Sequence, residues 1–119
     1  MVCSYSELDF SHFLTAVAIV AIALHGGGFV IGSKDLIPQP QVTKLVQNFG
    51  FIVVAPNYRL CPTISIYDGP LTDVKDAYNW SQTELPGILN DEENLNVDPR
   101  RIVAFGYSAG ATLALLLVC

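Results

Sequence analysis

The pentapeptide GYSAG, residues 106–110, places a serine between two glycines, directly after a short apolar run. That run predicts a buried strand, and the alanine- and leucine-rich stretch that follows predicts a helix, so Ser108 falls in a strand-to-helix turn. Such a turn strains the serine backbone and leaves room only for glycine at Gly106 and Gly110. It also exposes the hydroxyl over the free N–H groups of a helix N-terminus. The pattern therefore predicts a nucleophilic serine.

A glycine cluster, HGGGFVIGSKD, forms residues 25–35 and follows an earlier apolar run. Serine attack on an ester carbonyl puts negative charge on the carbonyl oxygen. Two or more N–H donors about 2.7–3.1 Å from that oxygen stabilise the charge. The amide of Ala109 can supply one donor, and the bare amides of Gly26 and Gly27 can supply others from a neighbouring strand end. We therefore predict an oxyanion hole formed by these three residues.

The glycines allow two other interpretations. Nucleotide binding is disfavoured, because Ile31 stands where G-x-G-x-x-G needs its third glycine, and because the Walker spacing of Gly27 and Gly32 is not followed directly by lysine. A purely structural glycine turn stays open. In the oxyanion interpretation, His25 and Gly28 support the loop, His25 by anchoring it through a hydrogen bond.

The elements that position these residues alternate along the chain. Three apolar runs predict strands buried on both faces, at residues 13–24, 51–56 and 101–106. Amphipathic stretches predict two helices between them, one from about Pro38–Pro40 to Gly50 and one from about Pro70 to about Leu85. This order predicts a three-layer α/β/α fold, in which a parallel sheet with right-handed crossovers lies between two layers of helices.

The last third of the chain predicts three further features. Residues 86–100 are polar and predict a loop, in which Asp91–Glu93 form a solvated turn. The stretch from Ala109 to Cys119 is almost wholly apolar and predicts a helix buried on all sides.

Composition narrows the class of protein. The 119 residues carry eleven acidic and six basic side chains without a basic cluster, which argues against nucleic acid as a partner. Cys3, Cys61 and Cys119 are odd in number and far apart, so we expect reduced thiols in a cytoplasmic protein and no disulfide framework or zinc site. The apolar run Phe13–Leu24, at twelve residues, is shorter than the roughly 20 of a membrane span. A secretory or membrane segment there remains the alternative.

Four motifs together, HGGGF, PNYRLCP, VDPRRI and GYSAG, resemble the α/β-hydrolases of the hormone-sensitive-lipase-like branch, over about residues 17–119. The resemblance implies a carboxylesterase or lipase-like serine hydrolase that acts on small-molecule esters without a cofactor or metal. It makes Ser108 the nucleophile and gives the oxyanion role to the residues already named. Asn57 departs from the acidic residue of the family's DYRL segment, and Tyr107 departs from the acidic residue common in this branch's elbow.

The resemblance also implies two residues that do not follow Ser108 in this chain. Members of the family place an Asp or Glu and then a His after the serine. The eleven residues after Ser108 contain neither. We therefore expect residues 1–119 to be one partial domain, the N-terminal half of a hydrolase, inactive alone. Its strand 101–106 would be an exposed edge open to association, and its last helix would lack a covering layer.

Three points remain open from the sequence. His12 lies at the far end of the first predicted strand and is expected at the surface. His25 lies at the correct end and is the alternative base, although its anchoring role competes with proton transfer. The alternative function is an inactive hydrolase fragment that binds a ligand or another protein.

Overall fold

A four-stranded sheet forms the centre of the fold in the computed structural model, which describes residues 2–3 and 17–118. In chain order the strands are β1 (Val2–Cys3), β2 (Ala18–Leu24), β3 (Ile52–Val54) and β4 (Val97–Gly106). Their order across the sheet is β1-β3-β2-β4. Strands β2, β3 and β4 are parallel, and β1 pairs antiparallel with β3. The predicted α/β fold with a parallel sheet is confirmed, with one short antiparallel strand added. His12, residues 13–16 of the first predicted strand and Cys119 lie outside the described residues.

Four helices flank the sheet: α1 (Gln39–Phe49), α2 (Thr72–Thr83), α3 (Leu85–Glu93) and α4 (Ala109–Leu117). Helix α1 ends as predicted at Gly50, whose φ of 67° is the left-handed conformation that glycine adopts without strain. Helix α2 begins slightly later than predicted. A single helical turn of the π type, Tyr67–Leu71, precedes it and contains Pro70.

The central strand β2 explains the unbroken apolar run. Its alternate residues Ala21 and Ala23 face α1, together with Val53 of β3. The residues between them, Ile22 among them, face the opposite layer formed by α2, α3 and α4. Because helices cover both faces, every residue of the strand must be apolar. The fold therefore has the predicted three layers.

The polar loop predicted for residues 86–100 is wrong in its first half, which forms helix α3. Leu85 and Leu89 lie one turn apart, and both are buried against the sheet. Pro86 occupies the first turn, where its missing N–H has no intrahelical acceptor to lose. The exposed acidic residues Asp91–Glu93 belong to the last helical turn and not to a free turn.

The structure also corrects the predicted start of the last strand and the predicted burial of the last helix. Helix α4 is not buried on all sides, because Leu115 and Val118 beyond it are 68% and 78% exposed. Strand β4 begins earlier than predicted, at Val97, and lies at the edge of the sheet, where Val103 is 46% exposed. The expected exposed edge and uncovered helix are therefore both present. Within residues 2–3 and 17–118, no helix is long and apolar enough to cross a membrane.

Candidate active site

The sheet register brings the two glycine motifs together. Leu24 of β2 pairs with Gly106 of β4, so the glycine loop and the serine turn leave the sheet side by side. The Tyr107 N–H donates a 3.1 Å hydrogen bond to the Leu24 carbonyl and continues this pairing into the turn. The two motifs, about eighty residues apart in sequence, therefore begin at adjacent strand ends.

The turn at Ser108 has the strained geometry that its two glycines permit. Ser108 has φ 54° and ψ −117°, outside the regions that side chains favour, and it is exposed. A Cβ on Gly106 would lie 2.3 Å from the Gly110 carbonyl, and one on Gly110 would lie 2.3 Å from the Leu24 oxygen. Ala109 begins α4, so its amide has no intrahelical acceptor. Both glycines are needed for this close approach of backbone to backbone.

The glycine loop packs directly against this turn. A Cβ on Gly26 would meet the Tyr107 carbonyl oxygen at 2.8 Å and Ser108 Cβ at 3.3 Å. Gly27 has φ 126°, and its carbonyl accepts 3.1 Å hydrogen bonds from the N–H groups of Val30 and Ile31, which close a tight turn. The backbone of the loop therefore reaches the serine without intervening side chains.

His25 lies inside the loop, where it is 1% exposed. Its Nδ1 donates to the Gly26 carbonyl at 2.6 Å, and its ring stacks on Tyr58 with the ring centres 4.2 Å apart. Its Nε2 has no hydrogen-bond partner among the described residues. Neither ring nitrogen therefore bonds to Ser108, which gives the alternative of His25 as a base no support.

Residues 57–61, which we call the bracing segment, hold the glycine loop from the side. Tyr58 Oη donates to the His25 carbonyl at 2.6 Å. The Cys61 N–H donates to the Phe29 carbonyl at 2.7 Å, and the Lys34 N–H donates to Asn57 Oδ1 at 2.8 Å. The amide of Asn57 thus has an acceptor role that an acidic residue could also fill.

Sequence reasoning missed this bracing role. The available signal was the position of the segment directly after β3, because the carboxyl ends of neighbouring parallel strands share one edge of the sheet. The partner of Tyr107 was also missed: its hydroxyl donates to Gln41 Oε1 of α1. Burial raises the pKa of Tyr107, so the phenol stays a neutral donor there. Tyr107, which stands where the family has an acidic residue, therefore has the side-chain amide of Gln41 as its hydrogen-bond partner.

The bracing segment is itself attached to α2 through an ion pair. The guanidinium of Arg59 donates to both carboxylate oxygens of Asp73, at 2.9–3.1 Å, and the Arg59 N–H donates to Asp73 Oδ2 at 2.7 Å. Partial burial raises the pKa of Asp73, but the hydrogen bonds and charge of Arg59 outweigh it and hold this pKa below its usual value.

This lowered pKa predicts a stability that depends on acid. The stabilisation is complete above the unfolded-state pKa of about 3.9, and it is lost as the pH falls through the lower pKa of the folded state. We expect the free energy of unfolding, measured in urea from about pH 6 to about pH 2, to fall less in Asp73→Asn than in the wild type. Asp91→Asn, which removes an exposed carboxylate without an ion pair in the described part of the chain, is the control. Equal slopes for the wild type and Asp73→Asn would contradict this prediction.

No group of three or more His, Cys, Asp or Glu side chains among the described residues could hold a metal ion. What the site offers is an exposed serine hydroxyl, a helix N-terminus and a loop of bare backbone in contact with that serine. This combination suits attack on a carbonyl carbon with stabilisation of the resulting oxyanion.

Comparison with known proteins agrees with this geometry. A family model described as alpha/beta hydrolase fold matches residues 21–119. The non-reducing polyketide synthase atr1 of Stereocaulon alpinum is 44% identical over 96 residues, which cover 81% of this chain and 4% of that protein. A bacterial heroin esterase has a structure similar over 85% of this chain and 29% of its own, with a TM-score of 0.71 and 31% identity.

A thermophilic esterase from the Planctomycetes species Thermogutta terrifontis, with butyrate bound, is 26% identical with a TM-score of 0.70. The similarity covers 95% of this chain and 36% of that esterase. The chain thus spans about a third of the solved esterases and a small part of the synthase. Since the family model covers most of the 119 residues, and the resemblance seen in the sequence is confirmed, this chain belongs to the α/β-hydrolase fold family.

Proposed function

We propose that this chain carries the nucleophile and oxyanion hole of a serine hydrolase, of the carboxylesterase or lipase-like type. The observation that carries the proposal is the contact between the glycine loop and the serine turn, where Gly26 lies against Ser108. A substrate carbonyl that reaches the Ser108 hydroxyl would meet the amides of Gly26, Gly27 and Ala109 at the same point.

The reaction proceeds through an acyl-enzyme. A base takes the proton of Ser108 as its oxygen attacks the ester carbonyl, and the three amides stabilise the charged oxygen. The tetrahedral intermediate collapses, the alcohol leaves with the proton, and the acyl group stays on Ser108. Water, activated by the same base, then releases the acid and restores the serine. The eleven residues that follow Ser108 in this chain include no acid and no histidine. Neither the base nor the carboxylate that orients it is therefore among them.

The comparisons support two substrate classes. The solved relatives are esterases, and one of them binds butyrate, which favours a small-molecule ester. The synthase relative favours a second candidate, release of a polyketide acyl group from the enzyme that made it. Both use the same acyl transfer to Ser108. Cytoplasmic location belongs to the proposal and is tested by cell fractionation.

Fluorophosphonate labelling tests the proposed nucleophile. The experiment uses the longest protein that the gene encoding these residues produces, which we call the longest gene product. We expect one label to react with it, and peptide mass spectrometry to locate that label on Ser108. Ser65→Ala, which alters another exposed serine, should label like the wild type. If the folded protein takes up no label at Ser108, the hydrolase proposal fails and the binding-module alternative is favoured.

A further inference from the structure

We infer that Tyr58 is a positioning residue for the oxyanion hole, an inference that rests on the proposed function. Through its hydroxyl and its ring, Tyr58 holds His25, and through His25 it holds the amides of Gly26 and Gly27 opposite Ser108.

The contacts of His25 account for this role. Its carbonyl oxygen accepts the 2.6 Å hydrogen bond from Tyr58 Oη, and its imidazole lies parallel to the Tyr58 ring, within 2°. The same imidazole donates from Nδ1 to the Gly26 carbonyl at 2.6 Å. The peptide and the side chain of His25 are thus both fixed by Tyr58, and the orientation of the next peptide follows from them.

The His25 carbonyl also touches the helix that follows the serine. A Cβ on Gly110 would lie 2.6 Å from this oxygen, so the first turn of α4 packs against the group that Tyr58 binds. The Tyr58 hydroxyl therefore binds the same His25 carbonyl that packs against the first turn of α4. A displacement there moves both sources of oxyanion amides relative to each other.

Tyr58 is suited to act as a permanent donor. It is buried, and its ring packs in the core with Ile22 and Leu24 of the central strand. Burial raises the pKa of Tyr58, so the phenol keeps its proton. Without the hydroxyl, the His25 carbonyl would lose this buried donor, and an unsatisfied buried carbonyl is unfavourable, so a shift of the loop that finds another donor would be favoured.

Tyr58→Phe tests the inference, because it keeps the ring and removes only the hydroxyl. In the longest gene product, we expect kcat for a p-nitrophenyl ester to fall about tenfold with KM within about twofold. This loss is smaller than the roughly 10²–10³ of an absent oxyanion donor, since the amides remain but shift. The rate of fluorophosphonate labelling at Ser108 should fall in parallel.

Tyr78→Phe is the matched control. Tyr78 packs against the same core cluster and its hydroxyl accepts from Gln82 Nε2 at 3.0 Å, but it lies on α2 and makes no hydrogen bond to residues 25–34 among those described. If Tyr58 had only a structural role, both variants would lower the melting temperature and leave kcat unchanged. That result for Tyr58→Phe would overturn the inference.

Hydrogen exchange of the peptide spanning residues 25–34 separates this inference from the proposed function. We expect this peptide to exchange about tenfold faster in Tyr58→Phe and at the wild-type rate in Tyr78→Phe. If the wild type takes no label at Ser108 but Tyr58→Phe still loosens the loop, the hydrolase proposal fails and the anchoring contact stands. If Ser108 is labelled and the loop exchanges unchanged, the inference fails and the hydrolase proposal stands.

Asn57→Ala gives a second variant that does not disturb the core. Asn57 is exposed, and its side chain accepts from the Lys34 N–H at the far end of the loop. We expect a change in the same direction as in Tyr58→Phe but smaller, about twofold in kcat. An effect of Asn57→Ala larger than that of Tyr58→Phe would contradict the placing of the main anchor at His25.

Discussion

Ser108→Ala and Ser108→Gly are each expected to lower kcat for ester hydrolysis by about 10⁶-fold, because loss of the serine from a catalytic triad has an effect of this size. Both variants lack the oxygen that would form the acyl-enzyme, and both keep the oxyanion amides. Steady-state kinetics with a p-nitrophenyl ester, on the longest gene product, measures the loss. An unchanged rate in either variant would place the chemistry elsewhere.

The same two variants should differ in stability, which tests the strain at Ser108. Its φ of 54° and ψ of −117° cost about 1–3 kcal/mol for a residue with a Cβ, and alanine bears the same cost. Glycine removes that cost but gains up to about 1 kcal/mol of freedom in the unfolded chain. We expect Ser108→Gly to be about 1 kcal/mol more stable than Ser108→Ala in urea unfolding. A Ser108→Gly variant about 1 kcal/mol less stable than Ser108→Ala, the difference due to the unfolded chain alone, would mean that the turn is not strained.

Gly27→Ala is expected to have the second largest effect, on both activity and stability. Its Cβ would lie 1.7 Å from the Ile31 carbonyl oxygen, and its φ of 126° is strained for any side chain. The turn from Gly27 to Ile31 would have to open, and the oxyanion amide would move with it. We expect kcat to fall about 10²–10³-fold and the free energy of unfolding to fall by about 3 kcal/mol.

Gly28→Ala is the control for this effect. Gly28 also has a positive φ, 63°, but a Cβ there meets nothing within 4 Å. We expect a loss of about 1 kcal/mol from the left-handed backbone alone, with kcat close to the wild-type value. If Gly28→Ala lost as much activity as Gly27→Ala, general stiffness of the loop, and not the place of one amide, would explain both results.

The two departures from the family pattern have structural partners in this chain. Asn57 replaces an acid but still accepts the Lys34 N–H, and Tyr107 replaces an acid and donates to Gln41. Among the described residues, neither the Asn57 nor the Tyr107 side chain makes a hydrogen bond to Ser108. The chain thus departs from the family pattern at two positions where the new side chain makes a hydrogen bond. It keeps Gly26, Gly27, Gly106 and Gly110, where a Cβ would clash.

Local patterns were enough to predict the main elements of the fold. A strand covered on both faces must be wholly apolar, so β2 and β3 stand out from the residues around them. The turn at Ser108 is visible in five letters, although only Gly106 is required by the turn itself; Gly110 is required because Leu24 of β2 packs against it. Helix α3 was missed because Pro86 and Gly87 are typical of loops and only Leu85 and Leu89 turn inward.

What the sequence by itself determined is therefore the order of strands and helices and the presence of the two glycine motifs, because apolar periodicity and clustered glycines can be seen without knowing which distant residues meet. Only the tertiary structure decided that Tyr58 bonds to His25, thirty-three residues away, and that Arg59 bonds to Asp73. It also decided which side chains are exposed on the expected edge strand and uncovered helix, Val103 and Leu115 among them, since apolar composition does not say which face has a neighbour. Such contacts depend on which strand ends and helix faces the sheet brings together, and no local pattern carries that information.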